Sequence, residues 1–344
     1  MKLVKFKQII GHGFLLSIGL ILALLIGEIL VRVAFHESMD FDMEMWKYAT
    51  MIKIASDDPS VGHEHRPNRS SFLMGVEVTT NSFGLRDDEI SLKKPHNTYR
   101  IVILGDSITM GWGVPQDKLY PTQLENMLNT QSLDGFPPNM RYEVLNLGVG
   151  NYNTVQEVAR LRKIGLQFEP DMVLLGYFIN DAELTPQPVS GFLINYSYLY
   201  AFLASRLRAL SLGAESSTYE DYYSELYVDN QPGWQAAKAA LAELLEIGNE
   251  RDIPVVTFII PELHDLSSTT YPFADIHKKL VALGINLGLP VIDLFPIFSN
   301  YSPEEELWVS PTDAHHNALA QSMIAEGIYK ALRTITINNI PTVD

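Results

Sequence analysis

Three regimes of hydrophobic patterning divide the chain. From Ile9 to Gly27 apolar residues follow one another with His12 as the single titratable side chain. From Glu37 to about His96 the pattern is weak, with acidic, Met and aromatic residues first and then the turn-rich Pro67-Asn68-Arg69-Ser70 and Thr79-Thr80-Asn81-Ser82-Phe83-Gly84-Leu85-Arg86. From Arg100 onward, short β-branched runs alternate with longer amphipathic ones. The runs Arg100 to Leu104, Tyr142 to Leu147, Met172 to Tyr177, Pro254 to Ile260 and Val291 to Leu294 are nearly continuous in apolar residues, as strands covered on both faces require. Helices are predicted between and after them, over Pro121 to Thr130, Thr154 to Ile164, Trp234 to Arg251, Tyr271 to Leu287 and Ala318 to Thr334. This β-then-α rhythm predicts a doubly wound α/β domain with a parallel sheet.

As a helix, the nineteen residues from Ile9 to Gly27 span about 28 Å, close to the hydrocarbon thickness of a bilayer. Lys2, Lys5 and Lys7 precede them, which predicts a cytoplasmic N-terminus and leaves the rest of the chain outside the cytoplasm. A cleaved leader is the competing reading, but no small-residue cleavage site follows, and Glu28 and Arg32 come next at i and i+4. The expected plan is thus a cytoplasmic N-terminus and transmembrane anchor over 1–36 and a juxtamembrane linker with a β-rich prelude over 37–97, to which no chemistry is assigned. A catalytic domain over 98–335 and a tail over 336–344 follow. Within the domain, 185–233 is too long for a simple connection; Leu199, Phe202, Leu203 and Leu207 predict a short amphipathic helix there, and its many aromatics read as a local core.

Composition narrows the function. A net charge of −16 without a basic stripe argues against a nucleic-acid partner. The absence of cysteine excludes disulfides, thiolate catalysis and Cys-based zinc sites. Chemistry is expected where strands end, because ligands of open parallel sheets sit beyond the carboxyl ends of the strands. Ser107 follows the first strand in Gly105-Asp106-Ser107, the loop Gly148 to Asn153 follows the second, and Asn180-Asp181 follows the third. A serine hydroxyl needs a base, and the base a carboxylate. Asp313-Ala314-His315-His316 supplies both, with residues two apart pointing the same way in an extended segment. The backbone N–H of Ser107, the loop after the second strand and the Asn180 amide are candidate oxyanion donors. His264 and His277 read as structural or surface histidines.

These residues resemble the SGNH or GDSL hydrolases. Gly105-Asp106-Ser107 is similar to the family's first block, Phe178-Ile179-Asn180-Asp181 to its third, and Asp313 with His315 before Asn317 to its last, over about Arg100 to Leu332. The resemblance implies a flavodoxin-like three-layer α/β/α sandwich, an ester-hydrolysing or acyl-transferring activity, and no metal or cofactor. It also implies roles: Ser107 as nucleophile, His315 as base, Asp313 as its orienting carboxylate, and Ser107, Asn151 and Asn180 as oxyanion donors. Three positions depart from the family pattern. The usual glycine donor falls on Asn151, with Gly150 as the alternative; Phe178 stands where glycine is usual; and His316 takes the usual proline position, so that the commoner Asp-to-His spacing would select His316 as the base. A G-x-S-x-G elbow is lacking, which separates the chain from the α/β-hydrolase pattern. The expected function is a membrane-anchored serine esterase acting on an ester or acylated-glycan substrate. The alternatives are an O-acyltransferase or deacetylase of envelope polysaccharide, and a binding module that kept the scaffold without turnover.

Overall fold

A computed structural model describes residues 2–131, 136, 137, 139–185, 191–212 and 218–339. Helix α1 (Lys2–Ala34) leads into α2 (Phe41–Met51) and two antiparallel hairpins, β1 (Lys53–Ala55) with β2 (His63–His65) and β3 (Ser70–Leu73) with β4 (Val76–Thr79). The main sheet follows: β5 (Thr98–Gly105), α3 (Ser107–Met110), α4 (Tyr120–Thr130), β6 (Arg141–Asn146), α5 (Thr154–Lys163) and β7 (Met172–Tyr177). Then come α6 (Phe192–Tyr196), α7 (Tyr198–Leu212), α8 (Tyr219–Leu226), α9 (Pro232–Glu250), β8 (Val255–Ile259), α10 (Ala274–Leu287), β9 (Val291–Asp293) and α11 (Phe295–Phe298). A last antiparallel pair, β10 (Trp308–Ser310) and β11 (Asp313–His316), precedes α12 (Ala318–Asn339).

The five strands β6-β5-β7-β8-β9 are all parallel. Numbered within the sheet the order is 2-1-3-4-5, so the direction of winding reverses between β5 and β7 and opens a crevice at their carboxyl ends. Right-handed crossovers then put α4 on one face and α5, α9 and α10 on the other. Consistently, α4 packs on α12 and α5 packs on α9. Both faces being covered explains the unbroken apolar strands: Val102, Ile103, Leu104, Val173, Leu174, Leu175 and Phe258 are all buried. The structure is thus the doubly wound α/β domain with a parallel sheet that the periodicity predicts, in the sandwich form that the resemblance implies, preceded by one apolar helix. Within α1 the stretch Ile10–Ala34 is long and apolar enough to cross a membrane, and none of it is buried.

The sharp turn at the end of β5 depends on glycine. A Cβ at Gly105 would lie 1.9 Å from Thr109 Oγ1, and one at Gly148 only 2.4 Å from the backbone N of Met110. Where the first two sheet strands end, Gly105 thus packs under the Thr109 side chain and Gly148 against the backbone of Thr109 and Met110.

Two expectations need correction. Residues 37–97 do hold the expected β-rich prelude, as the hairpins β1–β2 and β3–β4, but the stretch before it is a packed helix rather than a linker: Glu44 and Lys47 of α2 form a buried ion pair at 2.8 Å, Glu44 accepts from Met74 N at 2.9 Å, and Tyr48 is buried against Gly150 in the loop after β6. The weak periodicity of the segment reflects a surface buried by the domain itself. The final helix also continues through Asn339 where a tail is expected from 336, while residues 340–344 lie outside the described residues.

Gly105→Ala is expected to lower stability by ~1–3 kcal/mol, the usual range for overpacking a tight core. Thermal and urea midpoints measure it, and unchanged midpoints would refute the close-approach argument.

Candidate active site

Ser107 begins α3 directly beyond β5, and Asp106 shapes the turn: its Oδ1 accepts from Ile108 N at 2.9 Å and its Oδ2 from Asn180 Nδ2 at 2.9 Å. Arg86 braces the helix from below, donating through Nη1 to the Met110 carbonyl at 3.0 Å and through Nη2 to the Val114 carbonyl at 2.6 Å. Gln321 of α12 joins the two halves of the site, accepting from Tyr120 N at 2.8 Å and donating to the Ile108 carbonyl at 2.9 Å.

The strand β11 brings the carboxylate and imidazole to the serine. Asp313 Oδ1 lies 2.6 Å from His315 Nδ1 and accepts the His315 backbone N–H at 3.1 Å, and His315 Nε2 lies 2.9 Å from Ser107 Oγ. The tautomer that satisfies both bonds carries its proton on Nδ1, leaving Nε2 to accept from the hydroxyl. Asp313 Oδ2 accepts from the indole Nε1 of Trp112 at 3.0 Å. Burial tends to raise the Asp313 pKa, but the bonds and charge of His315, with Trp112, bring it below the usual aspartate value. It is thus an anion fixed by three donors. Phe41 stacks on the His315 ring with centroids 6.0 Å apart and planes at 28°.

The alternation along β11 turns His316 away from Ser107. It packs edge-on against Phe178 and Phe298, and burial, then the His315 charge, pushes its pKa down to about 3. The imidazole that meets the serine is therefore His315 rather than His316. The Phe178 that replaces glycine supplies part of this packing.

In the loop after β6, Gly150 N donates to Tyr48 Oη at 2.8 Å and Gly150 O meets His63 Nε2 at 3.0 Å. The Gly150 N–H is thus engaged within the fold, by a side chain of α2. Asn151 takes the left-handed φ of +65° that asparagine tolerates, and its Oδ1 accepts from Lys53 Nζ at 2.7 Å. Among the described residues, the backbone N–H groups of Ser107 and Asn151 have no hydrogen-bond partner. Asn180 Nδ2 uses one of its two hydrogens on Asp106.

Ser107, His315, Asn151 and Asn180 share a cleft of about 420 Å³, also lined by Phe41, Met45, Tyr219, Tyr223, Glu262 and His264. His264 is thus a cleft residue rather than an isolated one: the buried Glu262 accepts its backbone N–H at 2.7 Å, and the hydrogen bond between Glu262 and the His264 ring raises the imidazole pKa. Tyr219 and Tyr223 put two of the insertion's aromatics on the cleft wall, whereas Tyr227 is fully buried as a core residue. Of the residues not anticipated, Trp112 had a signal: an indole five positions past the serine needs an acceptor once buried. Phe41, Tyr48, Lys53 and Arg86 had none, since only tertiary packing brings their segment here. No cluster of three or more His, Asp or Glu able to hold a metal occurs among the described residues.

Beneath the cleft, Asp106, Glu157 and Asp181 are all buried, and burial raises all three pKa values, Glu157 and Asp181 strongly.

A parallel sheet in 2-1-3-4-5 order with a serine beyond its first strand and a histidine and aspartate returning from the last hairpin defines an α/β protein of the SGNH hydrolase type. The profile of the GDSL-like lipase/acylhydrolase family matches residues 103–322. The chain belongs to that family. Among solved structures, it is similar to an acetyl xylan esterase at 18% identity (67% of this chain and 98% of that one, TM-score 0.40). A lipase/acylhydrolase from Enterococcus faecalis is similar at 19% identity (69% and 96%, TM-score 0.41). A psychrotrophic esterase from Pseudoalteromonas is similar at 14% identity (70% and 99%, TM-score 0.41). Among curated proteins, none matches this chain.

Two outcomes test the site. Trp112→Phe, which removes a donor to a charged acceptor, is expected to lower kcat/KM for a soluble ester by about tenfold or more; an unchanged value would show that Asp313 does not need the indole. The raised carboxyls mean that the folded chain holds protons the unfolded chain has lost, so their contribution to stability falls as pH rises above the ordinary carboxyl range. Glu157→Gln is expected to flatten that fall between pH 5 and 8 in thermal denaturation; a fall as steep as in the wild type would place its cause elsewhere.

Proposed function

We propose that this chain is a membrane-anchored, extracytoplasmic serine esterase working through Ser107, His315 and Asp313. The observation that carries the reading is the continuous hydrogen-bonded line from Ser107 Oγ to His315 at 2.9 Å and on to Asp313 at 2.6 Å. His315 Nε2 takes the hydroxyl proton as Oγ attacks the ester carbonyl, and Asp313 stabilises the imidazolium. Ser107 N–H, Asn151 N–H and the second hydrogen of Asn180 Nδ2 receive the oxyanion. His315 returns the proton to the departing alcohol, leaving an acyl-serine; water activated by the same imidazole releases the acid and restores the serine. A serine engaged by an oriented imidazole argues against a scaffold retained for binding alone.

For the anchor, the support is packing between the apolar helix and the domain. Glu28 of α1 accepts from Ser197 Oγ at 2.8 Å, Tyr198 N at 3.0 Å and Leu199 N at 2.9 Å, capping α7, while Arg32 donates to the Tyr196 carbonyl at 2.7 Å. Removing α1 as a leader would strip these partners, so α1 is assigned as a retained anchor, with Lys2, Lys5 and Lys7 on the cytoplasmic side.

A fluorophosphonate probe and a short p-nitrophenyl ester test the chemistry. Ser107→Ala is expected to abolish labelling and, like His315→Ala, to lower kcat by ~10⁴-fold or more, and Asn180→Ala to lower it by ~10²–10³. Labelling that persists in Ser107→Ala would overturn the assignment.

A further inference from the structure

The insertion between β7 and α9 buries only part of its apolar surface. Tyr198 and Ala201 pack with Met43 of α2, against Val31 and Phe35 at the end of α1. Gly27 admits Leu199, whose Cδ2 lies 3.1 Å from where a Cβ would be, and Trp46 of α2 donates its indole N–H to the Ile194 carbonyl. The helices α6 and α7 are therefore fixed against the last two turns of α1. Their other side is bare: Phe192 is 78% exposed and Leu207 67%, with Leu193, Tyr196, Tyr200 and Leu203 also exposed. This surface continues the exposed apolar side chains Ile26, Ile29, Leu30 and Val33 of α1 itself.

The polar groups beside it suit a bilayer boundary. Arg32 lies over the Tyr198 ring at 4.7 Å, Arg206 pairs with Asp40, and tyrosines and a tryptophan cluster where α1 meets the domain. Aromatic and arginine side chains favour the level of the lipid headgroups, where one end is apolar and the other wet. A second cleft, of about 780 Å³, adjoins the catalytic one through Asn151, Asn180 and Glu183, and its far wall is formed by Asn195, Tyr196 and Arg208.

We propose that α6 and α7 form a collar seated in the interfacial layer of the bilayer around the emerging α1, setting the mouth of the cleft against the membrane so that the enzyme draws amphiphilic, lipid-embedded esters from it. The occupant of the bare face is lipid, because that face is continuous with a helix that has the length and composition of a membrane span. The choice of substrate class rests on the esterase reading; the seating of the collar does not.

The experiment uses the full chain in phosphatidylcholine/phosphatidylglycerol nanodiscs. As the chain has no cysteine, Phe192→Cys, Leu203→Cys and, as a reference on exposed α10 surface, Lys278→Cys each give a single nitroxide site. Labels at 192 and 203 are expected to collide with oxygen in preference to a water-soluble nickel chelate, and the label at 278 the reverse. Nickel-accessible labels at 192 and 203 would overturn the proposal, as would labels shielded from both relaxants and coupled to each other, which would mean a second copy covers the face. In parallel, Phe192→Ser/Leu193→Ser/Leu203→Ser/Leu207→Ser is expected to turn over a long-chain ester embedded in vesicles at least about tenfold more slowly, through the lost apolar contact, while hydrolysing a short soluble ester at the wild-type rate. Equal turnover of both esters by variant and wild type would overturn the substrate assignment. If the wild type cleaves neither ester, the esterase reading fails and the substrate class falls with it, while the nitroxide result still decides the seating.

Discussion

A hydroxyl and an imidazole 208 positions apart in the chain stand at 2.9 Å, and most of the molecule can be understood as what holds that distance. A hydrogen bond of this kind weakens steeply with small displacements, so both ends need rigid support. On the serine side the support is the Gly105 turn, closed onto Thr109, with Arg86 satisfying the carbonyls at the end of α3. On the histidine side it is the β10–β11 pair, whose register fixes Asp313 and His315 together, and the indole of Trp112, which ties the aspartate back to the segment that carries the serine. Gln321 completes the ring by joining α12 to α3 and α4. Supports from the start, middle and end of the chain thus meet at one rim.

That arrangement has an electrostatic cost. Three carboxyl groups under the rim are denied water, and Glu157 finds no hydrogen-bond partner for either oxygen among the described residues. Burial of this kind works against stability, and its position beneath the sheet edge, rather than in the periphery, fits the general pattern in which functional sites are locally unfavourable and the surrounding core compensates. The unbroken apolar packing of β5, β7 and β8 supplies that compensation here.

The strands were legible because burial on both faces leaves a run of apolar residues that no other element of five or six residues produces; Met172–Tyr177 stands where the pattern predicts it. The serine was legible from the rule that parallel strands deliver ligands to one edge, and the aspartate and histidine from their spacing two apart in an extended segment. What could not be read was the contribution of residues 37–97. Tyr48 is remote in sequence from Gly150, yet its hydroxyl accepts the Gly150 N–H and leaves that of Asn151 without a partner among the described residues. Choosing between Gly150 and Asn151 therefore needed a contact that no local pattern encodes. The choice between His315 and His316 was similar: spacing allowed both, and the pleat of β11 with Phe178 and Phe298 decided it.

The loop holding Gly150 and Asn151 is thus shaped by side chains lying well upstream of the region matched by the family profile, which begins at residue 103. A recombinant fragment cut to that boundary would keep Ser107, Asp313 and His315 but would lose Thr98 to Val102 of the central strand β5, the Tyr48, Lys53 and His63 contacts that clamp the loop, and the Phe41 ring beside the imidazole. The structural unit that holds these residues together therefore begins no later than α2, and trimming to the matched region would break the central strand as well as the clamp on the Gly150–Asn151 loop.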